Sequence, residues 1–135
     1  MSSINLLAVG TAAVAVFFIG FLWYMPFAFG SFWAALRGID PSALTETAPS
    51  APVILFELVR CLLMVSALAI LISLVQPSGI AGTLGLALLV WFGFQAVLLS
   101  GSVLHENYPV GLWLIHAGDA LAKAIVAATI LSLWR

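Results

Sequence analysis

The sequence predicts an all-α integral membrane protein, a four-helix bundle with a short interfacial amphipathic helix after the first span. Three observations carry that prediction. Of the 135 residues, 64% are hydrophobic and 7% charged, and the mean hydropathy is +1.25; a globular chain is about one quarter charged. Four segments are apolar over the roughly 20 residues that an α-helix needs to cross about 30 Å of hydrocarbon. Clusters of turn-forming residues separate them. A water-soluble fold is excluded, because a domain of this length buries only about two thirds of its unfolded surface and would leave large apolar patches in water. The lipid bilayer is therefore the expected solvent and partner.

The first span covers residues 4–25 without a charge. Its opening Met-Ser-Ser-Ile-Asn lacks the basic n-region of a secretory leader, and the apolar stretch exceeds a typical h-region, so a retained helix is expected. Residues 26–53 form the long connection. Within it Phe29, Phe32, Trp33 and Leu36 fall at i, i+3, i+4 and i+7. That spacing suits a helix lying in the interface with its aromatic face in lipid and Arg37 in water. Residues 39–52, rich in Pro, Ser, Thr and Ala, read as a wet loop, with Ser50 as N-cap of the second span and Pro52 in its first turn.

The second span covers residues 54–75, the third 80–104 and the fourth 112–134. Pro77-Ser78-Gly79 and Tyr108-Pro109-Val110-Gly111 interrupt the apolar pattern between them, and such short connections make antiparallel neighbours. One membrane domain is expected, without a soluble domain or an internal duplication. Trp23, Tyr24 and Trp113 are expected to mark the membrane boundary on the loop side, and Trp134 the opposite one. Ala117, Ala120, Ala124 and Ala128 make a narrow ridge on the fourth span, with Ala81 and Gly85 doing the same on the third. Counting positive charges, Arg37 and Arg60 lie toward the long loop and Arg135 with the termini, which predicts that both termini face outward.

A net charge of -1 and a pI near 6.0 supply no basic footprint for nucleic acid. Cys61 is the single cysteine, so neither a disulfide framework nor a Cys-rich metal site can be built. Motifs of catalysis are missing too. His105 and Glu106 are neighbours in the third loop, but no Gly-x-Ser-x-Gly, His-Glu-x-x-His or glycine-rich phosphate loop accompanies them. The pair reads as solvated loop, and His105 and His116 have no further ligand to make a shared metal site. The chain points away from an enzyme, with no cofactor or metal.

What stands out is the set of charges inside the spans. Glu57 and Arg60 fall on the second, Asp119 and Lys123 on the fourth, and His116 joins them. An ionised group near the bilayer centre costs about 2.5–3.5 kcal/mol even on the lenient insertion scale. His116, Asp119 and Lys123 at i, i+3 and i+7 share one helix stripe. The second and fourth spans both begin on the loop side; Glu57 and His116 lie about one turn in, Arg60 and Asp119 about 10 Å in, and Lys123 about 16 Å in. This arithmetic predicts contact between those two spans, with Arg60 facing Asp119, Glu57 within reach of His116, and Gln95 of the third span joining the same seam.

Two functions fit. The leading one is a non-catalytic multi-pass protein acting through helix contacts, as a homo-oligomer or as an accessory subunit of a larger membrane complex, with the charged seam between the second and fourth spans serving assembly or lipid-head recognition. The alternative is a small transporter or proton-linked carrier using Asp119, Lys123 and His116 near mid-membrane.

The run from Gly20 to Trp33, with Trp23-Tyr24, Pro26, Phe29-Gly30 and Trp33, resembles the Trp-Tyr-Ser-Pro, Phe-Gly, Trp signature of small bacterial membrane proteins grouped as domain of unknown function 1761. Trp91-Phe92-Gly93-Phe94 looks like that family's third-span motif, and Leu112 to Gly118 looks like its Leu-x-Leu-Ile-Asn-Ala-Gly stretch. Met25 stands in place of the usual serine, His116 in place of asparagine, and Asp119 where an aromatic is commoner, so the polar stripe departs from the family pattern. The resemblance implies a four-helix protein of the bacterial inner membrane and brings no established activity with it.

Overall fold

The computed structural model describes residues 4–46 and 48–134; residues 1–3, on which the leader argument rests, and Arg135, counted for orientation, lie outside the described residues. All regular structure among the described residues is helical. Helix α1 spans Leu6–Trp23 and is followed by a wide turn, Pro26–Gly30, and by the short helices α2, Ser31–Leu36, and α3, Ala43–Glu46. Helix α4 spans Ala51–Val75. Helix α5, Gly79–Val90, continues through a π-helical turn, Trp91–Ala96, into α6, Val97–His105, and α7 spans Val110–Leu133. Four rods, α1, α4, the continuous Gly79–His105 and α7, are long and apolar enough to cross a membrane.

The ends of these helices have local causes. The Asn5 side chain accepts from the backbone N–H groups of Leu7 and Ala8 and so satisfies two of the free donors that open α1. Ser50 does occupy the cap position of α4, with Pro52 in the first turn, and the helix begins at Ala51 rather than at residue 54. It ends where Gln76 turns left-handed at φ 51°, and Pro77 prevents continuation. Pro109 is the N-cap of α7. In the loop, the Asp40 carboxylate accepts from the Ser42 N–H and hydroxyl, and these two bonds hold it below the usual carboxylate range.

Packing sets the lateral order. Helix α1 lies along both α4 and α7, α5 lies along the other side of α7, and α4 touches α7 and α5 only lightly. The order across the bundle is therefore second span, first, fourth, third. Small residues make this possible: Ala8, Ala12 and Val16 of α1 meet Val65 of α4 and Ala127 and Ala128 of α7, all fully buried. With no hydrophobic driving force between helices in lipid, such close backbone approach supplies the dispersion contacts that hold them.

Two sequence expectations need correction here. On the fourth span Ala117, Ala124 and Ala128 are buried as the ridge predicts, but on the third Ala81 and Gly85 face outward, and Thr83 and Ala87 are the buried pair. Thr83 can go inside because its hydroxyl donates to the Gly79 carbonyl at 2.9 Å. The aromatic face of the interfacial segment is also split. Non-helical Ala28, at φ -100° and ψ -113°, folds the chain back after α1, and Ala34 becomes fully buried while Leu36 packs on Gly111. Phe29 lies 4.4 Å from the Trp23 ring and Trp33 meets Tyr24 edge-on at 6.2 Å, leaving Phe27 and Phe32 as the outward aromatics. Ring pairing of this kind adds about 0.5–1.5 kcal/mol beyond the area buried, which lipid contact does not offer.

Candidate functional site

The polar stripe of α7 is assembled by helical period, and what it meets is α1. Lys123 Nζ donates to Asp119 Oδ2 at 2.7 Å, one turn apart on the same helix, and both side chains are largely buried, at 15% and 12% exposed. The ammonium lies against Gly20 of α1, where a side-chain Cβ would come within 2.6 Å of Nζ. Glycine at that position makes the room. One turn toward the loop side, the Tyr24 hydroxyl is hydrogen-bonded to His116 Nδ1 at 2.7 Å. The other carboxylate oxygen of Asp119 is buried and without a partner.

Aromatic N–H groups complete the belt. Trp23 Nε1 donates to the Ile115 carbonyl at 3.1 Å, its ring resting on Gly118, where a Cβ would meet Cζ2 at 2.9 Å. Trp91 Nε1 donates to the Ala117 carbonyl at 2.8 Å, and Trp113 Nε1 to the Ala96 carbonyl, at the end of the π-helical turn, also at 2.8 Å. A helical carbonyl has a second lone pair, so it can take such a bond without losing its own ladder. In hydrocarbon the alternative for each indole is a donor with nothing to bind.

The sequence placed the charged seam between the second and fourth spans; the structure puts it between the first and fourth. Arg60 does not face Asp119. It pairs with Glu57 at i, i+3 on α4, and the two side chains are 61% and 40% exposed, toward the outside of the bundle. Glu57 does not bond His116, which is taken by Tyr24. Gln95 is bonded to none of these groups and lines a cleft between α4 and α5. The physical reason is shared: depth along the membrane normal is legible in the sequence, but α1 stands laterally between α4 and α7 and takes the contacts. Trp23, Tyr24 and Trp113, expected as boundary anchors, turn inward to hydrogen-bond partners on neighbouring helices.

Among the described residues no three His, Cys, Asp or Glu side chains come together as a metal-ligating group. Cys61 is buried and free. Chemically the arrangement is a clasp: the Tyr24–His116 bond and three indole bonds tie the end of α1 and the π-helical turn to α7, and the Lys123–Asp119 pair, within α7, packs against Gly20 of α1. Trp91→Phe should test one of its teeth, lowering stability by about 0.5–1.5 kcal/mol, the net worth of a single hydrogen bond; thermal unfolding in detergent is the measurement.

The stretches that carry the resemblance converge on this belt. Trp23, Tyr24 and Gly30 come from the first, Trp91 from the second, and Ile115 to Gly118 from the third. A profile of proteins of unknown function, DUF1761, matches residues 7–132. The chain belongs to the DUF1761 family. No curated protein and no solved structure matches it. In this DUF1761 protein packing explains Gly20, Gly30 and Gly118, which sit under an ammonium, a carbonyl and a ring, whereas a Cβ at Gly93 would meet no atom within 4 Å. His116 does with Tyr24 what an asparagine side chain could do in its place, namely bond a phenol hydroxyl.

Proposed function

We propose that this DUF1761 protein is a non-catalytic multi-pass protein of the bacterial inner membrane that works through helix contacts, with a second copy or as an accessory subunit of a larger complex. One observation supports this above others. The polar groups of the α1–α7 seam, apart from Asp119 Oδ1, are engaged within the chain, whereas the Gly79–His105 rod is the least buried of the four spans and presents Phe94 and Leu98 outward at 73% and 77% exposed. The clasp holds the bundle in shape, and this outer face is the working surface. Purification from native membrane into nanodiscs should yield a particle larger than one chain, and Phe94→Asn with Leu98→Asn should reduce it to the monomer. A wild-type protein that is monomeric and partner-free after such gentle extraction would overturn the proposal.

A carrier has one observation in its favour, the unpartnered oxygen of buried Asp119. Against passage through a single chain stands the layer of Ala8, Ala12, Val16, Val65, Ala127 and Ala128, all without exposure. Proton-linked flux in proteoliposomes, lost in Lys123→Met, is the result that would favour this second reading.

A further inference from the structure

The Glu57–Arg60 pair takes no part in the α1–α7 clasp and stands on the outside of the bundle. It lies on a stretch of α4 that the rest of the chain does not cover, since no residue of that helix before Cys61 is buried. Helix α4 has 25 residues, about 37 Å of rod, and so exceeds about 30 Å of hydrocarbon by little more than one turn. With that excess shared between the two ends, Glu57 lies about one turn below the loop-side boundary and Arg60 about 10 Å below it. Charged groups at such depth are costly against acyl chains and call for a polar partner.

The direction of the side chains says where that partner lies. A helical side chain leans toward the N-terminus of its helix, which for α4 is the loop side. The Arg60 stem follows that lean, and its guanidinium donates to Glu57, closer to the boundary. The charges are thereby gathered toward the lipid heads, as in other snorkelling side chains. Only Nη1 of Arg60 and Oε1 of Glu57 take part in their bond. The guanidinium keeps further N–H groups, in a fork that suits phosphate, and the carboxylate keeps its second oxygen for a donor.

The order of the charges along the membrane normal selects the occupant. The cation, Arg60, starts deeper, and the anion, Glu57, lies nearer the loop side. A zwitterionic phospholipid has the complementary order: its phosphate is joined to the glycerol, and its ammonium lies beyond the phosphate. An anionic head without an ammonium would meet Glu57 as a like charge. A second copy, related by a two-fold axis along the membrane normal, would set the two Arg60 side chains level with each other and the two Glu57 side chains likewise. Deeper in the bilayer, Leu63, Ala67, Ile70 and Leu74 continue the stripe of Arg60 down α4, all exposed, as a track for an acyl chain. We propose that Glu57 and Arg60 bind a zwitterionic phospholipid of the loop-side leaflet that carries a primary ammonium, with its phosphate on Arg60, its ammonium on Glu57 and one acyl chain along the stripe from Leu63 to Leu74. The site is separate from the α1–α7 clasp and does not depend on the assembly proposed above.

The probes are phosphatidylethanolamine, phosphatidylcholine and phosphatidylglycerol with identical acyl chains, added one at a time to the full chain in mild detergent and read by native mass spectrometry. Phosphatidylethanolamine should bind about five-fold more tightly than either of the others, the ratio that one net hydrogen bond or one exposed ion pair gives. Glu57→Gln should invert the order in favour of phosphatidylglycerol, because the charge of Arg60 is then no longer balanced. Glu57→Gln combined with Arg60→Gln should bring all three lipids to one weaker affinity. Both side chains lie outside the packed core, so these variants keep the fold. Equal binding of the three lipids by the wild type, the result for annular lipid only, would overturn the proposal. So would a preference for phosphatidylethanolamine that survives the double variant, or a wild-type dimer that the double variant takes apart with lipid binding unchanged, which would give this face to a second copy.

Discussion

Replacing Lys123 by Met should lower stability by about 3–5 kcal/mol, and replacing Asp119 by Leu in the same chain should recover most of that loss. The asymmetry follows from burial. A buried ion pair contributes little net stability against an apolar pair of similar volume, because desolvation cancels most of the attraction, but removing one partner strands the other charge. Asp119 is already missing a partner for Oδ1, and without Lys123 neither carboxylate oxygen would have one. Chemical denaturation in mixed micelles is the measurement. A single variant as stable as wild type would show that the pair contributes nothing, and a double variant as unstable as the single would mean that Asp119 is needed for something other than Lys123. Because the double variant should keep its fold, it is also the reagent with which any cellular role of the charges can be separated from their role in packing.

Gly30→Ala should be at least as damaging. A Cβ there would run into the Tyr24 backbone carbonyl and lie 2.8 Å from the carbonyl carbon and 2.9 Å from that of Met25. These atoms are backbone, so no side-chain rotation relieves the collision. The turn after α1 must open, carrying Tyr24 away from His116 and Trp23 away from Ile115. Overpacking a tight site costs about 1–3 kcal/mol and more when backbone has to move, and total stability is of the order of 5–15 kcal/mol. We expect little protein to accumulate in membranes. Gly10→Ala is the control: a Cβ there meets no atom within 4 Å, and the change should be neutral or mildly stabilising through helix propensity. Equal accumulation of the two variants would contradict the close approach at Gly30.

The spans were readable because length, hydropathy and turn residues act locally. Pro77 and Pro109 stop helices wherever they occur, and Ser50 with Pro52 starts one. The stripe of His116, Asp119 and Lys123 was readable for a similar reason, since period alone fixes a helix face. Which helix that stripe meets was not readable. Four rods of equal polarity can be ordered laterally in several ways, and the choice rests on shapes such as the groove at Ala8, Ala12 and Gly20 of α1, which composition does not distinguish from any other small-residue stripe. Glu57 and Arg60 misled for a further reason: a carboxylate and a guanidinium one turn apart on the same helix find each other before either finds a neighbour across the bundle. The tryptophans failed differently. Belt anchors and inward donors are the same residue type at the same depth, and their acceptors here are backbone carbonyls, which no letter of the sequence marks. The π-helical turn at Trp91–Ala96 likewise had no signal beyond Gly93, a residue equally at home in an ordinary apolar helix.

The placement of α1 between α4 and α7 has a consequence for biosynthesis. Trp23 and Ile115 are 92 positions apart along the chain, so when α1 leaves the ribosome and enters the bilayer, its acceptors have not yet been translated. Until α7 arrives, a nascent intermediate exposes an indole and a phenol to hydrocarbon, and contacts of such long sequence separation are slow to close. Any chaperone or insertase that shelters this intermediate would have to hold α1 by its Gly20 to Tyr24 end and release it to α7 once that helix has been made.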